Sequence, residues 1–476
     1  MAKGILWMVG ARFVDRLIGI FSTIILARLL VPADFGLVAM ATAIAGVIDL
    51  LGAFSFDLAL IQNARAERRH YDTVWTFNVI FGIICGVALI ILAIPAANFY
   101  NEGRLTNVMY ALSVSYFFTA FNNVGIVAFR KNLDFHQEFT FVFIRRVVTF
   151  CVTISGAYFL KSYWALIWGI CMGRFVTLIM SYIMNNYRPR LTLAAAGELF
   201  GFSKWLLVNN ALFFLLHNGC TFVIGRSFGP TALGIYSVAY EISSLPSTEL
   251  VAPINRATFP GFSKMNSTLE ISRAYIKLFG MISLLILPVG IGIAAVAEPL
   301  VLTLLGTTWI AAVPLIQLLA IHGAIGATQG NNGTVWLALG KPRATTSIAI
   351  FFLAILFPAL YYFLNWYGVV GAGYAYILAN VVTVPYGMNL SKKLLGFKWC
   401  ELWSAAWRAL LSVCVMYVAV LFVDSMTKTM PSLVRLIINS ACGATIYICL
   451  VLLLWQAAGR PEGAEKYLLS RLTRRR

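Results

Sequence analysis

The chain has 476 residues, 60% of them hydrophobic and 11% charged, with a net charge of +18 and a mean hydropathy of +0.84. No soluble domain of this size has that composition, so the chain reads as a polytopic membrane protein. Its basic residues lie between apolar runs, which points to orientation against a membrane rather than to nucleic acid. The eight cysteines show no CxxC spacing, and all but Cys400 lie within apolar runs. They read as packing residues, not disulfides or metal ligands.

Fourteen candidate spans start near residues 4, 36, 73, 104, 139, 163, 203, 233, 274, 309, 344, 369, 405 and 433. Each is about 20 to 26 residues, enough to cross a bilayer as a helix. The first apolar run is too long and too charged for a cleavable signal peptide. The spans at 4–29 and 36–61 are joined by a short hinge, Leu30 to Phe35, that contains Pro32. In span 1, Arg12, Asp15, Arg16, Gly19, Ser22 and Thr23 fall on one helical face. One charge at mid-membrane costs about 3 kcal/mol, so this stripe must face protein or a water-filled cavity.

Loop charge sets the expected orientation. The loops after even-numbered spans carry Arg65, Arg68 and Arg69; Arg130 and Lys131; Arg188 and Arg190; Arg256, Lys264 and Arg273; Lys341 and Arg343; Lys392, Lys393 and Lys398. The alternate loops carry little, so both termini are expected in the cytoplasm. The basic tail, residues 466–476, reads either as an amphipathic helix on the inner leaflet or as a stop-transfer cluster.

The chain also repeats. Ala27-Arg28-Leu29-Leu30-Val31-Pro32-Ala33-Asp34-Phe35-Gly36 lines up with Gly225-Arg226-Ser227-Phe228-Gly229-Pro230-Thr231-Ala232-Leu233-Gly234 at an offset of 198 residues. Both copies join one span to the next on the outer side. Six spans separate them, so the copies share orientation and are expected to be related by an axis along the membrane normal. This gives two six-helix lobes, 1–198 and 199–398, with residues 399–476 adding a helix pair and the tail.

Two parallel six-helix lobes suit alternating access, which makes polar residues within spans the site candidates. Arg12, Arg16, Arg145, Arg146 and Arg174 form a cationic set suited to an anion, phosphate in particular. Asp15 is placed to orient one of its span-1 neighbours, Arg12 or Arg16, leaving the other for an anion. Asp49 either pairs with Arg12 or Arg16 or takes a proton, whereas Asp57 reads as a structural partner of a loop arginine. In the second lobe, Asn210 and His217 share a face, and Glu241 is the best protonation candidate. Gln329, Asn331 and Asn332, beside Gly330 and Gly333, suggest a broken helix whose amides meet sugar hydroxyls, or else a plain helix end. Each of these residue types also serves as a structural contact between helices. No GxSxG, HExxH or P-loop is present.

The run from Gly10 through Arg12, Asp15, Arg16, Arg28 and Pro32 to Gly36 and Ala39, continuing to Ala59-Leu60-Ile61-Gln62, resembles the opening of the polysaccharide transporter family. These are the Wzx-type flippases of a superfamily (MOP) that includes the MATE drug exporters and the flippase of peptidoglycan precursor. The resemblance is strongest over residues 7–80 and recurs at 225–240. It implies two six-helix bundles around a central cavity, in a bacterial inner membrane. It also implies movement of an undecaprenyl-diphosphate-linked oligosaccharide to the outer leaflet, among membrane lipids, with a polysaccharide polymerase as partner. No cofactor is implied beyond a coupling H+ or Na+, for which Asp15, Asp49, His217 and Glu241 are the candidates.

Four alternatives share parts of this pattern; one, a membrane polysaccharide polymerase, would want a large external loop, whereas the expected external loops are short. A MATE-like exporter of cationic drugs would want an acidic cavity. A major facilitator permease would want a Gly- and Asp-containing loop between spans 2 and 3, which here reads Gln62 to Asp72. A membrane acyltransferase would use a histidine at a membrane face with acidic neighbours, such as His70 with Asp72 or His136 with Asp134 and Glu138.

Overall fold

A computed structural model describes residues 2–52, 60, 67–132, 134–265, 267–461 and 463–466, with side chains 2–9, 11–13, 51–52, 135 and 198–209 outside that description. Asp57, most of the loop after span 2 and most of the basic tail therefore lie outside it. All regular structure among the described residues is helical. Ten stretches among them are long and apolar enough to cross a membrane, or eleven if one bent pair counts as a crossing. Two of the ten, Asn210–Lys264 and Pro342–Leu395, hold 55 and 54 residues, each longer than a single crossing needs. The chain divides into two compact units, Met1–Gly234 and Ile235–Arg476.

The first unit opens with α1 (Ala2–Leu29) and α2 (Pro32–Gly52). The hinge is narrower than the sequence suggested, because helix resumes at Pro32. Proline suits a first helical position, where its missing N–H leaves no bond unmade. Asp34 then secures the corner: its carboxylate accepts from the Val31 N–H at 3.3 Å and from the Tyr163 N–H at 3.1 Å. Next come α3 (Arg68–Tyr100), α4 (Arg104–Ala120), α5 (Val127–Lys131), α6 (Phe135–Leu160) and α7 (Trp164–Ile183). Helix α1 packs on α6, α3 on α4, and α7 on both α4 and α6.

Span 4 is not the single helix expected over 104–127. It bends by 66° between α4 and the short helical stretch Val124–Lys131. Asn123 makes the bend. Its side chain accepts from the Gly125 N–H at 2.9 Å and donates to the Tyr187 carbonyl at 2.7 Å, while its own N–H donates to Ser181 Oγ at 3.0 Å. The segment after α7 is non-helical and lies along α3. Asp72 accepts from the Tyr187 hydroxyl and from the Arg190 N–H (2.9 Å), and Thr76 Oγ1 accepts from the Thr192 N–H at 3.0 Å. These contacts give Asp72 a structural role. His70 has one as well, because its Nδ1 accepts from the Glu67 N–H at 3.0 Å and closes the start of α3.

The long helix α8 (Ala196–Pro246) is broken at Gly229, whose φ of 75° is one that glycine adopts at little cost. This break is the second copy of the sequence repeat. The two copies meet inside the first unit. A Cβ on Gly36 would lie 1.7 Å from the Pro230 carbonyl oxygen, and a Cβ on Gly234 would lie 1.8 Å from that of Pro32. The near-equal, exchanged distances show the two hinges pairing as local two-fold mates.

The second unit continues with a π-helical turn at Ser247–Val251, then α9 (Ala252–Lys264), α10 (Thr268–Ala295), α11 (Ala297–Leu304), α12 (Val313–Ala338), α13 (Pro342–Tyr367), α14 (Gly371–Leu395), α15 (Trp399–Met426) and α16 (Ser432–Ala457). Helix α10 is the hub of this unit, packing against α12 and α15. Its Tyr275, Phe279, Ile282 and Ile286 are core residues. Contrary to the expected break at Gly330 and Gly333, α12 runs unbroken through both. Neighbouring side chains brace it there: Asn255 donates to the Gly330 carbonyl at 3.1 Å, and Asn332 is held on both sides.

Candidate functional site

In the first unit, helices α2, α3 and α4 and the bend after α4 enclose a cavity of about 300 Å3. Asp49, Asn78, Cys85, Tyr116, Thr119 and Asn122 contribute to its lining. The Tyr116 hydroxyl donates to Asp49 Oδ1 at 2.6 Å. The Arg174 guanidinium, from α7, stacks over the Tyr116 ring at 4.1 Å and donates to Ser115 Oγ at 3.0 Å. A carboxylate, a phenol and a guanidinium thus form a chain across three helices. The ring face favours the cation, and the hydroxyl hydrogen-bonds the carboxylate. Protonating Asp49 removes the charge from one end of this chain and weakens its hold on Tyr116.

A second cluster lies where α1 meets α6. Asp15 Oδ1 sits 3.2 Å from Arg146 Nε. Gly19 makes the approach possible, because a Cβ there would come within 2.6 Å of the Arg146 Nη2. Arg16 and Arg145 are half-buried on the same helix pair. The arginine that Asp15 orients is therefore on another helix, 131 positions along the chain. Likewise, Asp49 meets Tyr116 and lies in the field of Arg174. The side chain of Arg12 lies outside the described residues. Asn210 is half-buried on α8, and His217 is exposed on the same helix.

The polar residues of the second unit separate into two groups. Asn331 is fully buried, donating to the Tyr275 carbonyl at 3.4 Å. Asn332 accepts from the Tyr275 hydroxyl at 2.6 Å and from Ser391 Oγ at 3.1 Å, and donates to Gln329 Oε1 at 2.7 Å. This network ties α10, α12 and α14 together. Gln329, half-buried, is its more open end. The other group is aromatic. His322 lies 4.6 Å from the Tyr376 ring, and its Nδ1 is 2.8 Å from Asn380 Nδ2. Tyr376 meets the Tyr236 hydroxyl at 3.2 Å, and Tyr240 packs beside both. Glu241 is exposed next to this group.

Tyr116 and Ser115 are members of the candidate site that sequence reasoning missed. Their signal was the polar series Ser113, Ser115, Tyr116, Thr119, Asn122 and Asn123 in an otherwise apolar span. Two arginines within spans 13 and 14 were also missed. Arg408 pairs with Glu465 at 2.7 Å. Arg435 reaches Asp424 at 2.5 Å and Glu298 at 2.8 Å.

A family model described as "Polysaccharide biosynthesis protein" matches residues 25–314, more than half of the chain. The lipopolysaccharide biosynthesis protein WzxC of Escherichia coli (strain K12) is 23% identical over 411 residues, covering 85% of this chain and 84% of WzxC. The succinoglycan biosynthesis transport protein ExoT of Rhizobium meliloti (strain 1021) is 24% identical over 452 residues, covering 90% of this chain and 88% of ExoT. Among solved structures, the lipid II flippase MurJ in an inward closed conformation aligns with a TM-score of 0.75 at 13% identity, over 96% of this chain and 100% of MurJ. At that identity the likeness is one of fold. The chain belongs to the polysaccharide biosynthesis protein family, as a multi-pass, all-helical membrane protein with the fold of MurJ.

Proposed function

We propose that the chain is a flippase for an undecaprenyl-diphosphate-linked oligosaccharide, moving repeat units across a bacterial inner membrane for assembly of a surface polysaccharide. The observation that carries this reading is the arginine excess within the spans of the first unit. Arg16, Arg145, Arg146 and Arg174 stand against Asp15 and Asp49, and a diphosphate is the anion that arginine recognises best. The sequence relatives WzxC and ExoT are named for lipopolysaccharide biosynthesis and for succinoglycan biosynthesis transport, which supports the same cargo class. MurJ, the structural neighbour, is named as the flippase of lipid II.

In this reading the chain crosses the membrane fourteen times with both termini cytoplasmic, as lobes 1–198 and 199–398 followed by an added pair. Asp49 is the coupling group of first choice, because it faces a cavity and its hydroxyl partner is positioned to sense its charge. Glu241 and His217 follow it. Asp15 is the weakest of the four, already engaged by Arg146. The polymerase that consumes the flipped units is the expected partner.

The test is export in a host lacking its own copy of the gene. The Arg16→Ala/Arg145→Ala double variant should reach the membrane at normal levels, abolish surface polymer and accumulate lipid-linked repeat units. Full export by that variant would remove the arginine face from the account.

A further inference from the structure

A cavity of about 700 Å3 lies in the second unit, where the first turns of α10 and α15 meet the turn at residues 463–466. It is strongly basic. Arg273 and Lys277 come from α10, Arg408 from α15 and Lys466 from the chain's last described turn, with Glu401 as the acidic member of the lining. Arg408 is only 6% exposed and is fixed by Glu465, itself 5% exposed, through a 2.7 Å contact. Counting that partner, the site carries a net charge of about +2. Arg273 and Lys277 are exposed at its mouth.

The cavity's surroundings point to the depth of the lipid headgroups. Across the close crossing of Gly280 and Ala405, the same helix pair carries an apolar groove of about 590 Å3 lined in part by Phe279, Trp403 and Leu410. Trp399 and Trp403, 44% and 65% exposed, stand on the first turns of α15. Tryptophan at a helix end marks the water–hydrocarbon boundary. A basic pocket between spanning helices at that level suits an anionic headgroup.

We propose that this cavity binds the phosphate of an anionic phospholipid headgroup and so fastens α10, α15 and the turn at residues 463–466 to the bilayer. Its residues belong neither to the arginine set of the first unit nor to the Asp49 cavity, and the proposal does not depend on the transport reading. The lipid phosphate lies beside Arg273 and Lys277, with Arg408 lining the same cavity behind them. Glu465 holds the Arg408 guanidinium in place, so the site is formed before the lipid arrives.

The test is native mass spectrometry of the full-length, delipidated protein, titrated separately with five probes. These are cardiolipin, phosphatidylglycerol, phosphatidylethanolamine, undecaprenyl diphosphate and inorganic phosphate. Wild-type protein should take up one cardiolipin or phosphatidylglycerol in preference to phosphatidylethanolamine. Arg273→Gln/Lys277→Gln should weaken that uptake about 30-fold, at two basic contacts removed. Both residues are exposed, so the variant leaves the Arg408–Glu465 pair intact. Lys392→Gln/Lys393→Gln, which alters charge outside the cavity lining, should bind as wild type. Equal uptake by the Arg273/Lys277 variant, or an equal loss in the Lys392/Lys393 variant, would overturn the proposal. So would binding of undecaprenyl diphosphate or inorganic phosphate, but not phospholipid, through Arg273 and Lys277.

Discussion

Replacing Gly36 with alanine should force the two hinges of the first unit apart. The new Cβ would lie 1.7 Å from the Pro230 carbonyl oxygen, 2.5 Å from its carbon and 2.8 Å from the Gly234 nitrogen. An ordinary carbon–oxygen contact is about 3.3–3.6 Å, so the backbones must separate by about 1.5–2 Å. All three obstructing atoms are main chain, and no side-chain rotation relieves the clash. Overpacking of this kind costs about 1–3 kcal/mol, and a backbone obstacle places it at the upper end. Gly234→Ala should cost a similar amount, since its Cβ would lie 1.8 Å from the Pro32 oxygen. The double variant should cost less than the sum, because the separation that admits the first methyl makes room for the second. Gly292→Ala is the control. That glycine lies within α10 with nothing inside 4 Å of an added Cβ, so alanine should be neutral or stabilise by about 0.5–1 kcal/mol. Thermal unfolding in detergent, followed by tryptophan fluorescence, compares all four variants with wild type. A Gly36→Ala protein that melts with wild type would refute the pairing of the two hinges.

Two further perturbations follow from the geometry. On the coupling role proposed for Asp49, Asp49→Asn should remove any dependence of export on an ion gradient while leaving the protein folded, because the amide still accepts from Tyr116 but cannot titrate; a vesicle assay with and without the gradient checks this. Arg435→Ala should lower the amount of folded protein sharply. It leaves Asp424 and Glu298 without their shared cation, and breaking a buried ion pair costs about 3–5 kcal/mol; membrane abundance and thermal unfolding read the loss.

The apolar spans were legible in the sequence because lipid allows no other structure for runs of that length. The repeat at residues 27–36 and 225–234 was legible too, since the Pro and Gly spacing survives in both copies. Partners were not legible. Asp15 meets Arg146 and Asp49 meets Tyr116 through the packing order of helices, which no periodicity within one helix reveals. Tyr116 escaped notice because a tyrosine in an apolar run looks like core. The continuous path of α12 through Gly330 and Gly333 depends on contacts from Asn255 and Tyr275, both distant in sequence. The bend after α4 was hidden because Asn123 finds its partners at Ser181 and Tyr187, about sixty residues onward. Arg408 and Arg435 were within reach of sequence reasoning, since a lone arginine in an apolar span requires a partner.

The most direct test of the account is a leaflet assay on the purified protein in sealed vesicles. A fluorescent undecaprenyl-diphosphate oligosaccharide is placed in the bilayer, and its exposure to an external quencher is followed over time. The account predicts protein-dependent movement between leaflets that is fast and gradient-sensitive with wild type, absent with Arg16→Ala/Arg145→Ala, and present but insensitive to an imposed proton or sodium gradient with Asp49→Asn. No movement with wild type across several glycans would contradict it.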